Sequence, residues 1–156
     1  MTLTLEQEAT NSATQKHIRR VTALIHKVVK ELLDRSEHHD VSKLEAPEVE
    51  AFTEFTPKLA ECTYGSDEYK SYLDQMKPAL DHHYAHGRHH PEHFKNGIED
   101  MSLIDIVEML CDWKAASERH NDGNIRRSIE LNANRFSISP QMVKILENTA
   151  DVLFGK

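Results

Sequence analysis

The sequence predicts an all-α fold, a single-domain bundle of about six or seven helices spanning residues 1–156. Three observations lead there. Apolar residues recur at three-and-four spacing along most of the chain. No stretch keeps the period-two alternation of a half-buried strand, and no Asn-Gly turn joins β-branched runs. Glycine occurs only five times, too rarely for a turn-rich β protein. With 156 residues, 38% of them hydrophobic and 29% charged, the chain has the make-up of a globular protein able to bury one core.

The elements follow in order. From about Thr14 to Asp34, the residues Ile18, Val21, Ile25, Val28, Val29 and Leu32 mark a single stripe of a first helix. A second is expected from Pro47, a favoured first helical residue, to about Phe55, short of the breaker Pro57. A third opens at "SDEY", with Ser66 as N-cap and Asp67 and Glu68 in the positive first turn, and should be kinked or divided at Pro78. After a loop from Gly87 to Gly97 comes the strongest helix, "SLIDIVEMLCDWKAASERH", capped by Ser102, with Leu103, Ile106, Val107 and Leu110 expected on its buried side. "NDGN" at 121–124 breaks the chain. Two more helices are expected at about 124–136 and, behind the Ser139 cap with Pro140 at the first position, at 140–154.

Composition also excludes some functions. A net charge of −7 disfavours duplex nucleic acid, whose binding depends on many Lys and Arg contacts to phosphates. The apolar runs are too short to span a membrane, and "MTLTLEQEATNSATQKH" lacks the basic-then-apolar pattern of a signal peptide, so a cytoplasmic location is expected. Cys62 and Cys111 have no metal-type spacing. Cys111, inside "IVEMLCDW", reads as a small core residue.

The chemistry concentrates in histidine. "HHYAHGRHHPEHF", His82 to Phe94, holds six of the eleven histidines, and neutral imidazole is the commonest protein ligand for transition metals. A polar surface tract with no role is the rival reading. In the first helix, His17 lies roughly 60° from the centre of the apolar stripe and His26 roughly 120° away, which turns His17 inward and His26 to solvent. "HHDVSK" sets His39 beside Asp40. Imidazole nitrogen and carboxylate oxygen can reach one cation together, and the second carboxylate oxygen can bridge to another. Lys43, one turn on, could hold an anion against that metal. In the strongest helix, Glu108 and Asp112 repel at i,i+4 unless a cation, an imidazole or pairing with Lys114 and Arg119 relieves them.

Taken in order, His17, "HD" at His39 and Asp40, the histidine cluster, and Asp112 in "MLCDW" resemble the ligand set of the HD-domain metal-dependent phosphohydrolase superfamily, which is all-helical. "HDVSK" is similar to the "HD-x-x-K" form of HD-GYP phosphodiesterases and HD-type di-iron oxygenases, although the Gly-Tyr-Pro element is absent. Nearly the whole chain resembles a small family of HD-like proteins from bacteria and their phages. The resemblance implies His17, His39, Asp40 and Asp112 as ligands of a first metal, and His83 with one or both of His89 and His90 as ligands of a second, with Asp40 bridging. His82, His86 and His93 would then be neighbours. It also allows a homodimer.

The expected activity is phosphoester hydrolysis on a small phosphate, expected to be a nucleotide, with one or two divalent ions (Mn, Fe, Zn, Co or Ni) activating water. Asp40 would bridge and orient that water, as a catalytic residue with Lys43. Lys43, Arg88 and Lys114 would bind the phosphate, and Trp113 or Tyr84 could stack a base. Two other classes fit the same residues: a di-iron oxygenase, and a module that captures a nucleotide without turning it over.

Overall fold

Helix signals account for the computed structural model, which describes residues 3–63, 66–119 and 123–155. Seven α-helices and three short 3-10 turns occur among the described residues, with no strand, and none of the helices is long and apolar enough to cross a membrane. Contacts divide the chain between Glu37 and His38 into two compact units.

The first unit is built on α1, Leu5–His38, longer at its start than the apolar stripe predicts. Thr4 and Gln7 explain the extension. Gln7 N donates to Thr4 Oγ1 at 3.2 Å while Thr4 N donates to Gln7 Oε1 at 2.9 Å, a reciprocal cap that the stripe analysis overlooks. No residue of α1 is buried. Ile18, Val21, Ile25, Val28 and Val29 are all exposed, and so is His17, against the inward placement expected of it. A stripe identifies which face is apolar but not whether anything covers it.

In the second unit, α2 (Glu48–Glu61) runs through Pro57 rather than ending before it, and Pro47 is its N-cap rather than its first residue. Proline in a helix loses one backbone hydrogen bond, here to Thr53, and packing can offset that loss. Ser66 caps α3 (Asp67–Gln75) by accepting from Tyr69 N at 3.1 Å. The division expected near Pro78 falls at Met76, and α4 (Lys77–His86) starts with Pro78 in its first turn. The caps at Ser102 and Ser139 open α5 (Leu103–Ser117) and α7 (Pro140–Phe154), with α6 (Ile125–Arg135) between them.

The main core is where α5, α6 and α7 meet: Ile106, Met109, Leu110, Trp113, Ile129, Leu146 and Ala150. Burying the larger of these side chains stabilises by about 1.5–3 kcal/mol each. Leu103 is 73% exposed and Cys111 is also exposed, against the core positions expected for both. Met109 and Trp113 take that side of α5 instead. α2, α3 and α4 pack together around Phe55, Met76 and Ala79, and bring the histidine segment alongside the turn that follows α1.

Candidate metal centre

The His-Asp pair lies just beyond the end of α1. Asp40 adopts a left-handed backbone (φ 59°), a region that Asp tolerates better than most side chains, and then caps the helical turn Val41–Leu44. Its two oxygens have different neighbours. Oδ2 lies 3.7 Å from His39 Nε2 and accepts from Lys43 Nζ at 2.6 Å. Oδ1 lies 3.4 Å from Nε2 of His83 and 3.4 Å from Nε2 of His89. Asp112 Oδ1, from α5, lies 3.8 Å from His39 Nε2, and Nε2 of His83 and His90 are 2.8 Å apart.

Asp40 therefore belongs to two groups whose donor atoms lie within 4.8 Å of one another: His39, Asp40 and Asp112 in one, and Asp40, His83, His89 and His90 in the other. Both could hold a metal ion. A third combination, His39, His89 and Glu108, is equally close. There Glu108 meets both rings through Nδ1, at 3.0 Å and 3.2 Å, as the acceptor of their protons.

Glu48 does the same for the other rings. Fully buried in the first turn of α2, it accepts from Ser42 Oγ at 3.0 Å through Oε2 and from His82 Nδ1 at 2.7 Å through Oε1, while His83 Nδ1 lies 3.0 Å from Oε2 and donates to Ser42 Oγ at 3.3 Å. An ionised carboxylate can only accept, and Ser42 Oγ gives its one proton to Glu48, so these Nδ1 atoms carry protons. In neutral His39, His83 and His89 the Nε2 lone pair is then the one presented to Asp40 and Asp112, an arrangement typical of metal-binding imidazoles.

Electrostatics divide the rings: against the effect of burial, Asp40 and Glu108 raise His89, and His39 is raised too, so a cation would displace a proton from each. The carboxylates of Asp112 and Glu108 raise His39 to about 10. Burial would push Asp40 up, but His89 and Lys43 beside it hold it well below the usual carboxylate range. Burial likewise opposes the effect of His39 on Asp112, which ends up lowered. Burial, reinforced by the neighbouring His89 and His83, depresses His90 to about 3. Acids that stay ionised beside an imidazole that stays neutral are the donor set a transition metal takes.

The residues present fit a cation by a further test. Asp40 Oδ1 and His89 Nε2 are both buried and have no hydrogen-bond partner. A buried polar atom without a partner costs roughly 1–3 kcal/mol, and here two of them face each other inside one group. A bound cation would satisfy both.

The loop that carries His89 and His90 is held from two sides. A Cβ on Gly87 would come within 2.9 Å of His90 Cδ2 and 3.2 Å of both His89 Cε1 and His83 O, so the rings can close in only over a glycine. Arg88 donates through Nε and Nη2, both at 3.2 Å, to the two oxygens of Asp105, which is fully buried in the first turn of α5. The same carboxylate accepts from Ser102 N and Ser102 Oγ.

Of the residues expected to bind metal, His39, Asp40, His83, His89, His90 and Asp112 are brought together. His17 stands on α1, in the other unit, and belongs to none of these groups. Of the residues expected to bind phosphate, Lys43 is on Asp40, Arg88 is on Asp105, and Lys114 donates to Glu118 at 2.7 Å. Of the expected neighbours, His82 pairs with Glu48, His93 donates to Tyr84 O and His86 to His82 O. Sequence reading does not find Glu48, because a Glu in a first helical turn looks like ordinary dipole pairing. The imidazole suggested as relief for Glu108 and Asp112 is His39.

Among families of related sequences, the one described as "Family of unknown function (DUF5662)" matches residues 6–152. No curated protein and no solved structure matches the chain.

Proposed function

The chain belongs to the DUF5662 family, whose function is unknown, and we propose, from its resemblance to HD-domain proteins together with the donor groups of the site, that it is a metal-dependent phosphohydrolase of the HD-domain type. The reading rests on one observation: Asp40 shares its two oxygens between two donor groups, and its buried Oδ1 has no hydrogen-bond partner. His39, Asp40 and Asp112 would hold one ion, and His83, His89 and His90 with Asp40 a second.

Divalent cations at such a site lower the pKa of water and neutralise phosphate charge. The chain's own residues do the rest. Glu48, acting through Ser42 on His83, and Glu108 fix the imidazole tautomers, and the left-handed turn at Asp40 aims its carboxylate at both groups. Lys43, 2.6 Å from Asp40, is close enough to turn to a phosphate once a cation takes over that carboxylate. Histidine and carboxylate suit manganese, iron, cobalt, nickel and zinc alike.

Elemental analysis of the purified protein beside Asp40→Ala and Asp112→Ala tests the centre. Both variants should lose most of the bound metal and keep their helical circular dichroism. Hydrolysis of p-nitrophenyl phosphate and of nucleoside monophosphates with each metal then tests the activity. Phosphate esters recovered intact after long incubation with every metal would overturn the hydrolase and favour a binder, and a mixed-valent iron spectrum would favour an oxygenase.

A further inference from the structure

A cleft of about 490 Å3 opens beside the donor groups, with His90 and Asp112 in its wall. It lies entirely in the second unit. Its volume is in the range of small-ligand sites, about 300–1,000 Å3, and far exceeds what inorganic phosphate needs. α5 lines one side with Asp112, Trp113 and Ser117. α6, behind its N-cap Asn124, lines the other with Arg127, Ser128, Leu131 and Arg135, whose three-and-four spacing marks one helical face.

That face carries two arginines in different states. Arg135 donates to Glu92 Oε1 at 2.7 Å and lies 4.7 Å over the Phe136 ring, so its charge is already answered. Arg126, off this face, is paired with Asp151. Arg127 forms no ion pair with any described residue, although the chain has 26 acidic residues against 19 Lys and Arg. A guanidinium offers a planar fork that matches carboxylate or phosphate.

We propose that this cleft seats the part of the ligand that does not react, and that Arg127 selects phosphorylated compounds bearing a second anionic group, a carboxylate or another phosphate. The proposal rests on the reading above only in placing the first phosphate at the donor groups. Lys114 and Arg88 are engaged elsewhere and do not line the cleft, so Arg127 takes the anion-binding role expected of them.

Trp113 is the only tryptophan in the chain and lines the cleft, so its fluorescence reports occupancy without turnover. The manganese-loaded protein is titrated with three matched pairs: glycerol 3-phosphate and 3-phosphoglycerate, fructose 6-phosphate and fructose 1,6-bisphosphate, and adenosine 5′-monophosphate and adenosine 3′,5′-bisphosphate. The first pair tests a carboxylate and the others a second phosphate. In at least one pair the doubly anionic member should bind about tenfold more tightly. Arg127→Ala should abolish that preference and leave the singly anionic member unchanged, and Arg127→Lys should keep part of it. No preference in any pair, or a preference that survives Arg127→Ala, would overturn the proposal. Manganese content is measured on the same samples. Metal retained without an Arg127 effect removes the cleft assignment alone, whereas an Arg127-dependent preference in protein that holds no metal removes the metal reading and leaves the cleft.

Discussion

Glu48 Oε2 lies 3.0 Å from His83 Nδ1 and is itself fully buried, and by accepting the proton of Ser42 Oγ it leaves that oxygen to accept from His83 Nδ1, so one carboxylate in the first turn of α2 sets the tautomer of an imidazole on α4. Burying an ionised carboxylate costs several kcal/mol unless it is paired and hydrogen-bonded. Ser42, His82 and His83 together meet that requirement. The pair ties the turn after Asp40 to the histidine segment, and it leaves His83 Nε2 facing Asp40 Oδ1.

Glu48→Gln keeps the shape and removes the charge. Metal affinity should fall about 10–100-fold, the usual cost of losing a carboxylate behind a metal-binding imidazole. Competition with a chelator measures it, with circular dichroism showing that the helices persist. Unchanged affinity would remove Glu48 from the site.

His39 makes the metal-free protein sensitive to alkali. Its folded pKa, raised to about 10 by Asp112 and Glu108, stands above the ordinary value of 6.5. A raised histidine contributes stability that is fully present below the unfolded pKa and is lost as pH rises towards the folded one. The carboxylates are ionised throughout the interval, and His90, depressed to about 3, contributes nothing that changes there. Melting temperature in chelator should therefore fall between pH 7 and 9. Glu108→Gln should flatten the decline, and an equally steep fall in that variant would count against the assignment.

Gly87→Ala tests the close approach of the loop. A methyl group 2.9 Å from His90 Cδ2 forces that ring, and His89 at 3.2 Å, to move. Elemental analysis should show less bound metal than in the native protein. A crystal structure of the variant should show the His89 and His90 rings displaced from Asp40.

Arg88→Ala separates scaffolding from binding. Asp105 is fully buried, and losing two charge-assisted hydrogen bonds leaves it under-satisfied, at a cost of about 1–3 kcal/mol. Thermal or urea unfolding should register the loss, and Arg88→Lys should recover part of it. The KM for any phosphate ester hydrolysed should stay near native, because Arg88 is on Asp105 and outside the cleft. A large rise in KM with native stability would return Arg88 to the phosphate.

The helices were legible because their signals are local. Three-and-four spacing, the Ser66, Ser102 and Ser139 caps and the break near Pro78 each act within a turn or two of backbone, and each reappears in the structure. Where a neighbour decides the outcome, the same local rules misplace residues. Pro57 is carried inside α2, Leu103 and Cys111 are exposed on α5, and His17 is exposed on α1.

For the site, sequence by itself determined which side chains could bind a cation, since imidazole and carboxylate chemistry belongs to the residue type wherever it stands. Only the tertiary structure decided that Glu48 and Glu108 stand behind the rings, and that Arg127 rather than Arg88 or Lys114 faces the cleft. The reason is range. A helix cap acts over about 5 Å of its own backbone, whereas a tautomer or an ion pair depends on a partner that reaches the site from a distant part of the chain.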